Sequence, residues 1–150
     1  MNFPTRKNQS GFTLIEFLLV IGMISILAGL SLPFYNNLMA KNATAVARQA
    51  TTRSFHRAQQ LARAVDGDSE WGIKLLDGQI VVFRGATYAG RNTAYDEITN
   101  LSNGVTFTGN TEVVFSKLYG LPNNTTSINI TGPNNTTLEI TVNTHGILNY

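Results

Sequence analysis

The residue with the largest chemical consequence is Glu16, the only acid between Phe12 and Leu32. Apart from Thr13, Ser25 and Ser31, its neighbours in that stretch are all Phe, Leu, Ile, Val, Met, Gly or Ala. A carboxylate at membrane depth costs on the order of 2.5–3.5 kcal/mol on insertion scales unless it finds a partner. A lone acid there demands a cation. The competing reading places Glu16 close enough to the interface for its carboxylate to snorkel into the headgroups.

Other chemistry-bearing residues are sparse. Cysteine is absent, which excludes disulfides, thiolate metal sites and a cysteine nucleophile. His56 and His145 are too few to specify a metal site, and no nucleophile–base–acid set stands out, so neither catalysis nor a cofactor is expected. Asp66, Asp68 and Glu70 alternate as at the opening of a calcium loop but lack the residues that complete an EF-hand, and read instead as a polar turn that ends a helix. Lys41, Arg48, Arg53, His56, Arg57 and Arg63 form a basic helix face with no acid until Asp66. That face would attract nucleic-acid phosphates; a solvated surface, or one meeting acidic neighbours, is the competing and preferred reading.

The element that must position Glu16 is a helix. Phe12 to Leu32 would span about 31 Å at about 1.5 Å per residue, enough to cross a bilayer. Arg6 and Lys7 precede it with no acid beside them, which orients Met1 toward the cytoplasm and the bulk of the chain outside. Gly22, Gly29 and Pro33 weaken this helix and predict a kink or local melting, unless it is simply a membrane helix that tolerates such residues. Beyond Pro33 the helical pattern continues, with Ala47, Ala50, Ser54, Ala58, Leu61 and Val65 within about 80° of one another on a helical wheel.

From Trp71 the pattern changes to short β-rich runs: Trp71–Leu76, Gln79–Phe83, Val105–Phe107, Glu112–Phe115, Ser127–Ile130 and Leu138–Val142. Asp77-Gly78 is a hairpin signal between the first two. Asn123-Asn124-Thr125-Thr126 and Asn134-Asn135-Thr136-Thr137 read as turns. N-x-T sequences such as Asn124-Thr125-Thr126 would be glycan acceptors in a suitable host, although turn chemistry explains them equally well. Trp71 is assigned to the core rather than to an exposed anchor. The expected fold is α+β, with a long N-terminal helix, half transmembrane and half amphipathic, covering an antiparallel sheet.

Gly11-Phe12-Thr13-Leu14-Ile15-Glu16, followed by an apolar run and Pro33, resembles the class III signal of type IV pilins and type II secretion pseudopilins. The resemblance covers the leader and about the first third of the chain. It implies that a prepilin peptidase cleaves between Gly11 and Phe12 and methylates the new Phe12 amine. The missing side chain of Gly11 would then let the scissile backbone approach the enzyme closely. It also implies that Glu16 pairs with the Phe12 ammonium of a neighbouring subunit, which would set the axial register between subunits. Of the eleven basic residues, Arg6 and Lys7 would leave with the leader, so nine would remain against nine acids.

The globular part resembles the GspH/FimT group of minor pseudopilins and minor pilins. The resemblance rests on the order of the Ala/Arg helix, Trp71-Gly72, Val113-Phe115 before Gly120, Ile128 to Gly132, and Leu138 to Gly146. Two departures bear on function. The disulfide common in major pilins cannot form here. The last thirty residues contain no Lys or Arg, which argues against the basic C-terminal region by which some FimT relatives bind DNA.

The expected organisation is a leader over 1–11, a transmembrane assembly helix over 12–33, an amphipathic half over 34–66 and a β-rich domain over 67–150. Expected partners are the prepilin peptidase, other pilin or pseudopilin subunits, an inner-membrane assembly platform and the membrane itself. The expected location is the bacterial inner membrane, followed by a periplasmic or extracellular filament. The leading expectation is a minor filament subunit. The alternatives are a major structural pilin and a membrane-anchored binding protein that never polymerises.

Overall fold

The computed structural model describes residues 11–149, excepting the side chains of residues 30–37. Gly11 is therefore the only part of the expected leader within the described residues, and Pro33 falls outside them as a side chain. Among the described residues, one α-helix, α1 (Leu14–Arg63), is followed by 3-10 turns at Asp66–Asp68 and Thr93–Tyr95 and by eight strands. By its internal contacts the chain divides into two compact units, Met1–Asn36 and Asn37–Tyr150.

Within the first unit, the apolar side chains of the described helix are all exposed, from Phe12 and Leu14 to Ile26 and Leu27. Among the described residues, no helix is long and apolar enough to cross a membrane. The span expected from Phe12 to Leu32 runs into residues 30–37, outside the described side chains. Gly22 and Gly29 lie within α1, with open space where a Cβ would stand.

In the second unit the strands are β1 (Trp71–Leu76), β2 (Gln79–Arg84), β3 (Glu97–Asn100), β4 (Thr106–Gly109), β5 (Glu112–Phe115), β6 (Thr126–Thr131), β7 (Thr137–Val142) and β8 (Leu148–Asn149). They form two four-stranded antiparallel sheets, ordered β3-β2-β1-β5 and β4-β6-β7-β8. The sequence led to one sheet; the domain has two. β3 and β8 were not anticipated, and the reason is visible in their burial. All four residues of β3 are exposed, so it carries no apolar alternation, and β8 is only two residues long.

Period-two alternation decides what each face of the first sheet meets. Trp71, Ile73 and Leu75 of β1, Ile80 and Val82 of β2, and Val113 and Phe115 of β5 enter one core with Ala47, Phe55, Ala58, Leu61 and Ala62 of α1. Ile128, Ile130, Ile140, Val142 and Phe107 join that core from the second sheet. Phe55 is its aromatic centre on the helix, meeting Phe115 edge-on with ring centroids 6.0 Å apart. Val81, Phe83 and Val114 point to the opposite face of the first sheet and form a smaller cluster with Leu76 and Tyr88.

The helix stripe is broader than the small-residue pattern implied. Thr44, Thr51, Phe55, Gln59 and Ala62 are buried with Ala47, Ser54, Ala58 and Leu61. Thr44 and Thr51 can be buried because their hydroxyls bond to the carbonyls of Ala40 and Ala47, one turn earlier. Val65 lies beyond the last helical residue and takes a left-handed conformation (φ 55°), which starts the polar turn expected at Asp66–Ser69. Trp71 is buried as expected, and its indole N–H donates to the Asp66 carbonyl at 2.9 Å.

The hairpin signal is also realised: Leu76 faces Gln79 across the two-residue turn Asp77-Gly78. Gly72 is required for a different reason, since a Cβ there would lie 2.6 Å from Phe83 Cζ and 2.8 Å from the Val113 carbonyl. The β6–β7 connection folds back through Gly132, whose N–H donates to the Thr136 carbonyl. Asn135 occupies the left-handed region there (φ 56°).

The loop between β2 and β3 covers the outer face of the first sheet. Tyr88 packs edge-on against Phe83, Arg91 stacks 3.7 Å from the Tyr88 ring, and Arg91 grips Asp96 with Nε 2.8 Å from Oδ2. The Tyr88 N–H donates to Glu112, which also pairs with Lys74. A loop of twelve residues holding this many partners acts as a fixed third layer.

Candidate assembly site and basic face

The N-terminal site is built by the helix start. Thr13 precedes the first helical residue, and its Oγ1 accepts the Glu16 N–H at 3.3 Å while its carbonyl accepts the Phe17 N–H at 3.2 Å. This is the side-chain half of a capping box, T-x-x-E, with Glu16 at the third helical position. Glu16 thereby sits in the first turn, where the helix dipole favours a negative charge. Thr13 is the residue that sequence reasoning passed over, although its spacing to Glu16 was readable.

Gly11, Phe12 and Glu16 are all exposed, Phe12 at 87%. Among the described residues no cation pairs with the Glu16 carboxylate. The fold thus brings Gly11, Phe12 and Glu16 to one end of a capped helix and leaves the carboxylate available to an external partner.

The four arginines of the basic face are dispersed in their roles. Arg57 forms a forked pair with Glu97 of β3, Nη2 lying 2.8 Å from Oε1. That hydrogen bond holds the guanidinium pKa above its ordinary value, against a smaller desolvation effect. The charge pattern along the helix, with no acid before Asp66, missed this partner because Glu97 arrives from a strand forty residues away. Arg63 donates through Nε to the Tyr119 carbonyl at 3.3 Å. Arg53 borders a hollow of about 200 Å3 with Arg57, Glu97 and Thr99, whereas Arg48 lies along another, of about 400 Å3, with Ala45, Gln49 and Thr52. Among the described residues no group of three or more His, Asp or Glu side chains is placed to hold a metal. Asp68 is engaged by Lys117 instead, at 2.6 Å.

Residues 6–32 match the prokaryotic N-terminal methylation motif family. A fimbrial protein of Moraxella nonliquefaciens is 30% identical over 120 residues, which cover 75% of this chain and 73% of that protein. The fold is similar to that of the minor pseudopilin EpsH from the type 2 secretion system of Vibrio cholerae. The TM-score is 0.51 at 11% identity, over 71% of this chain and 94% of the other. The motif, the fimbrial relative and the helix on antiparallel sheets agree: the chain belongs to the type IV pilin and pseudopilin family.

Proposed function

We propose that the chain is a minor subunit of a type IV pilus or a type II secretion pseudopilus. Prepilin peptidase cleaves after Gly11 and methylates the Phe12 amine, and the mature subunit assembles through its N-terminal helix. The observation that carries this reading is the exposed Glu16 carboxylate, without a cation among the described residues, at the start of a helix whose apolar side chains from Leu14 to Leu27 are themselves exposed. An apolar helix of this kind requires lipid before assembly and neighbouring helices after it. In a filament the new Phe12 ammonium of an adjacent subunit supplies the missing cation.

The 12–33 segment then holds the subunit in the inner membrane with its leader in the cytoplasm. The β-rich domain over 67–150, carried on the amphipathic segment 34–66, lies outside, where the assembly platform delivers subunits to the filament. Gly22, Gly29 and Pro33 let the helix yield as subunits pack. The likeness to a minor pseudopilin fold and the absence of cysteine support a minor role.

N-terminal sequencing of the chain from cells with active prepilin peptidase tests the processing, and a retained Met1–Gly11 would refute it. The fimbrial relative supports a second reading, in which the chain is the main structural subunit. Abundance in sheared filaments separates the two, because a main subunit dominates them and a minor one is scarce.

A further inference from the structure

Both histidines of the chain, eighty-nine positions apart, line one cleft of about 380 Å3 in the second unit. Thr52, His56, Gln59 and Arg63 enter it from one face of α1, at spacings that stack residues along a helix. His145, Ile147 and Leu148 close the other side from the β7–β8 turn.

The cleft is organised by hydrogen bonds that leave donor groups of its lining available. Buried Gln59 donates to the Gly120 carbonyl at 3.0 Å, and Gly146 has no side chain because a Cβ there would collide with Gln59 Nε2. Asn143 Oδ1 accepts the backbone N–H groups of both His145 and Ile147 at 2.9 Å, which fixes the turn. Thr144 Oγ1 lies 3.2 Å from His145 Nδ1 and so leaves Nε2 as the ring's other contact point. Arg63 spends its Nε on the Tyr119 carbonyl, and its terminal nitrogens have no partner among the described residues.

The side chains with nitrogen donors that line the cleft come from two elements. α1 supplies His56 and Arg63, and the β7–β8 turn supplies His145. The carbonyls of Gly120 and Tyr119 in the β5–β6 loop accept from Gln59 and Arg63, and Lys117 of that loop is engaged by Asp68. Among the described residues, no Asp or Glu lines the cleft. A guanidinium and two imidazoles lining one cleft are a donor set suited to phosphate oxygens.

We propose that this cleft is a phosphate-binding site, in which Arg63, His56 and His145 donate to one phosphate group. The phosphate is either free or part of a glycerophosphate headgroup; Ile147 and Leu148 give the cleft an apolar wall against which a glycerol body would rest.

The test is NMR observation of the two histidine ring signals in the full chain in detergent at pH 6.5, titrated with inorganic phosphate and, separately, with glycerol 3-phosphate. Both rings should shift together and saturably. Arg63→Gln should weaken binding at least about tenfold through loss of a charge-assisted hydrogen bond. His56→Asn and His145→Asn, which remove exposed groups without disturbing the core, should each weaken it too. Tighter binding of glycerol 3-phosphate identifies a lipid headgroup as the source, whereas equal or weaker binding identifies free phosphate. The proposal is overturned if neither probe shifts both rings saturably, if sodium chloride at matched ionic strength produces the same shifts, or if all three variants bind as the parent does.

Discussion

Thr13 caps Glu16: the threonine hydroxyl accepts the Glu16 backbone N–H at 3.3 Å, while the Glu16 side chain stays exposed. On the proposed function Glu16 has two separable roles. Its N–H belongs to the cap and its carboxylate to whatever cation arrives.

Substitution separates these roles. Thr13→Ala should cost the helix start about 1 kcal/mol and speed amide exchange over Leu14–Phe17 several-fold. Glu16→Val keeps the N–H and should leave that exchange and membrane insertion unchanged while blocking filament assembly. Normal assembly by Glu16→Val would remove the charge-pair mechanism.

Phe55→Ala should destabilise the β-rich unit by about 3–5 kcal/mol, because a large side chain with 2% exposure is lost from the centre of the main core. Denaturant unfolding of the full chain in detergent, followed by Trp71 fluorescence, would read this. A loss below about 1 kcal/mol would mean that the amphipathic half of α1 contributes little to the domain.

Gly72→Ala should cost about 1–3 kcal/mol through overpacking, since the new methyl group meets the Phe83 ring and the Val113 carbonyl together. Adding Phe83→Leu should restore part of the loss. An unaltered melting temperature for Gly72→Ala alone would contradict the close approach of β1 to its neighbours.

The Asp68–Lys117 pair gives a pH prediction with a defined sign. The Lys117 hydrogen bond, and then its charge, hold the Asp68 carboxyl below the ordinary aspartate value, with Arg84 adding to the same effect. A depressed folded pKa stabilises above the unfolded value, and that contribution is lost as pH falls through the folded one. Lys117→Gln should therefore raise the Asp68 pKa in a carboxyl-carbon NMR titration. Because Asp68 is solvent-exposed, the unfolding midpoint at neutral pH should hardly move. A large drop in that midpoint would show that Lys117 has a further structural role.

Local regularity made much of this fold legible. The helix was expected from about Phe12 to Val65 and is found over Leu14–Arg63, because apolar content and then a 3.6-residue stripe extend across it. β1 and β5 coincide with their expected limits, since alternation over Trp71–Leu76 and Glu112–Phe115 reports two buried faces. Where alternation fails, prediction fails with it, as at the wholly exposed β3.

Sequence alone determined the family, the Gly11–Glu16 motif and the order of the helix and six of the strands, because each is written in contiguous residues whose spacing follows backbone geometry. Tertiary structure decided the division into two sheets, the pairing of Arg57 with Glu97 and the lining of one cleft by His56 and His145. Those relationships join residues forty to eighty-nine positions apart. No local period encodes them; they exist only once burial of the common core has fixed where helix, strands and turns lie.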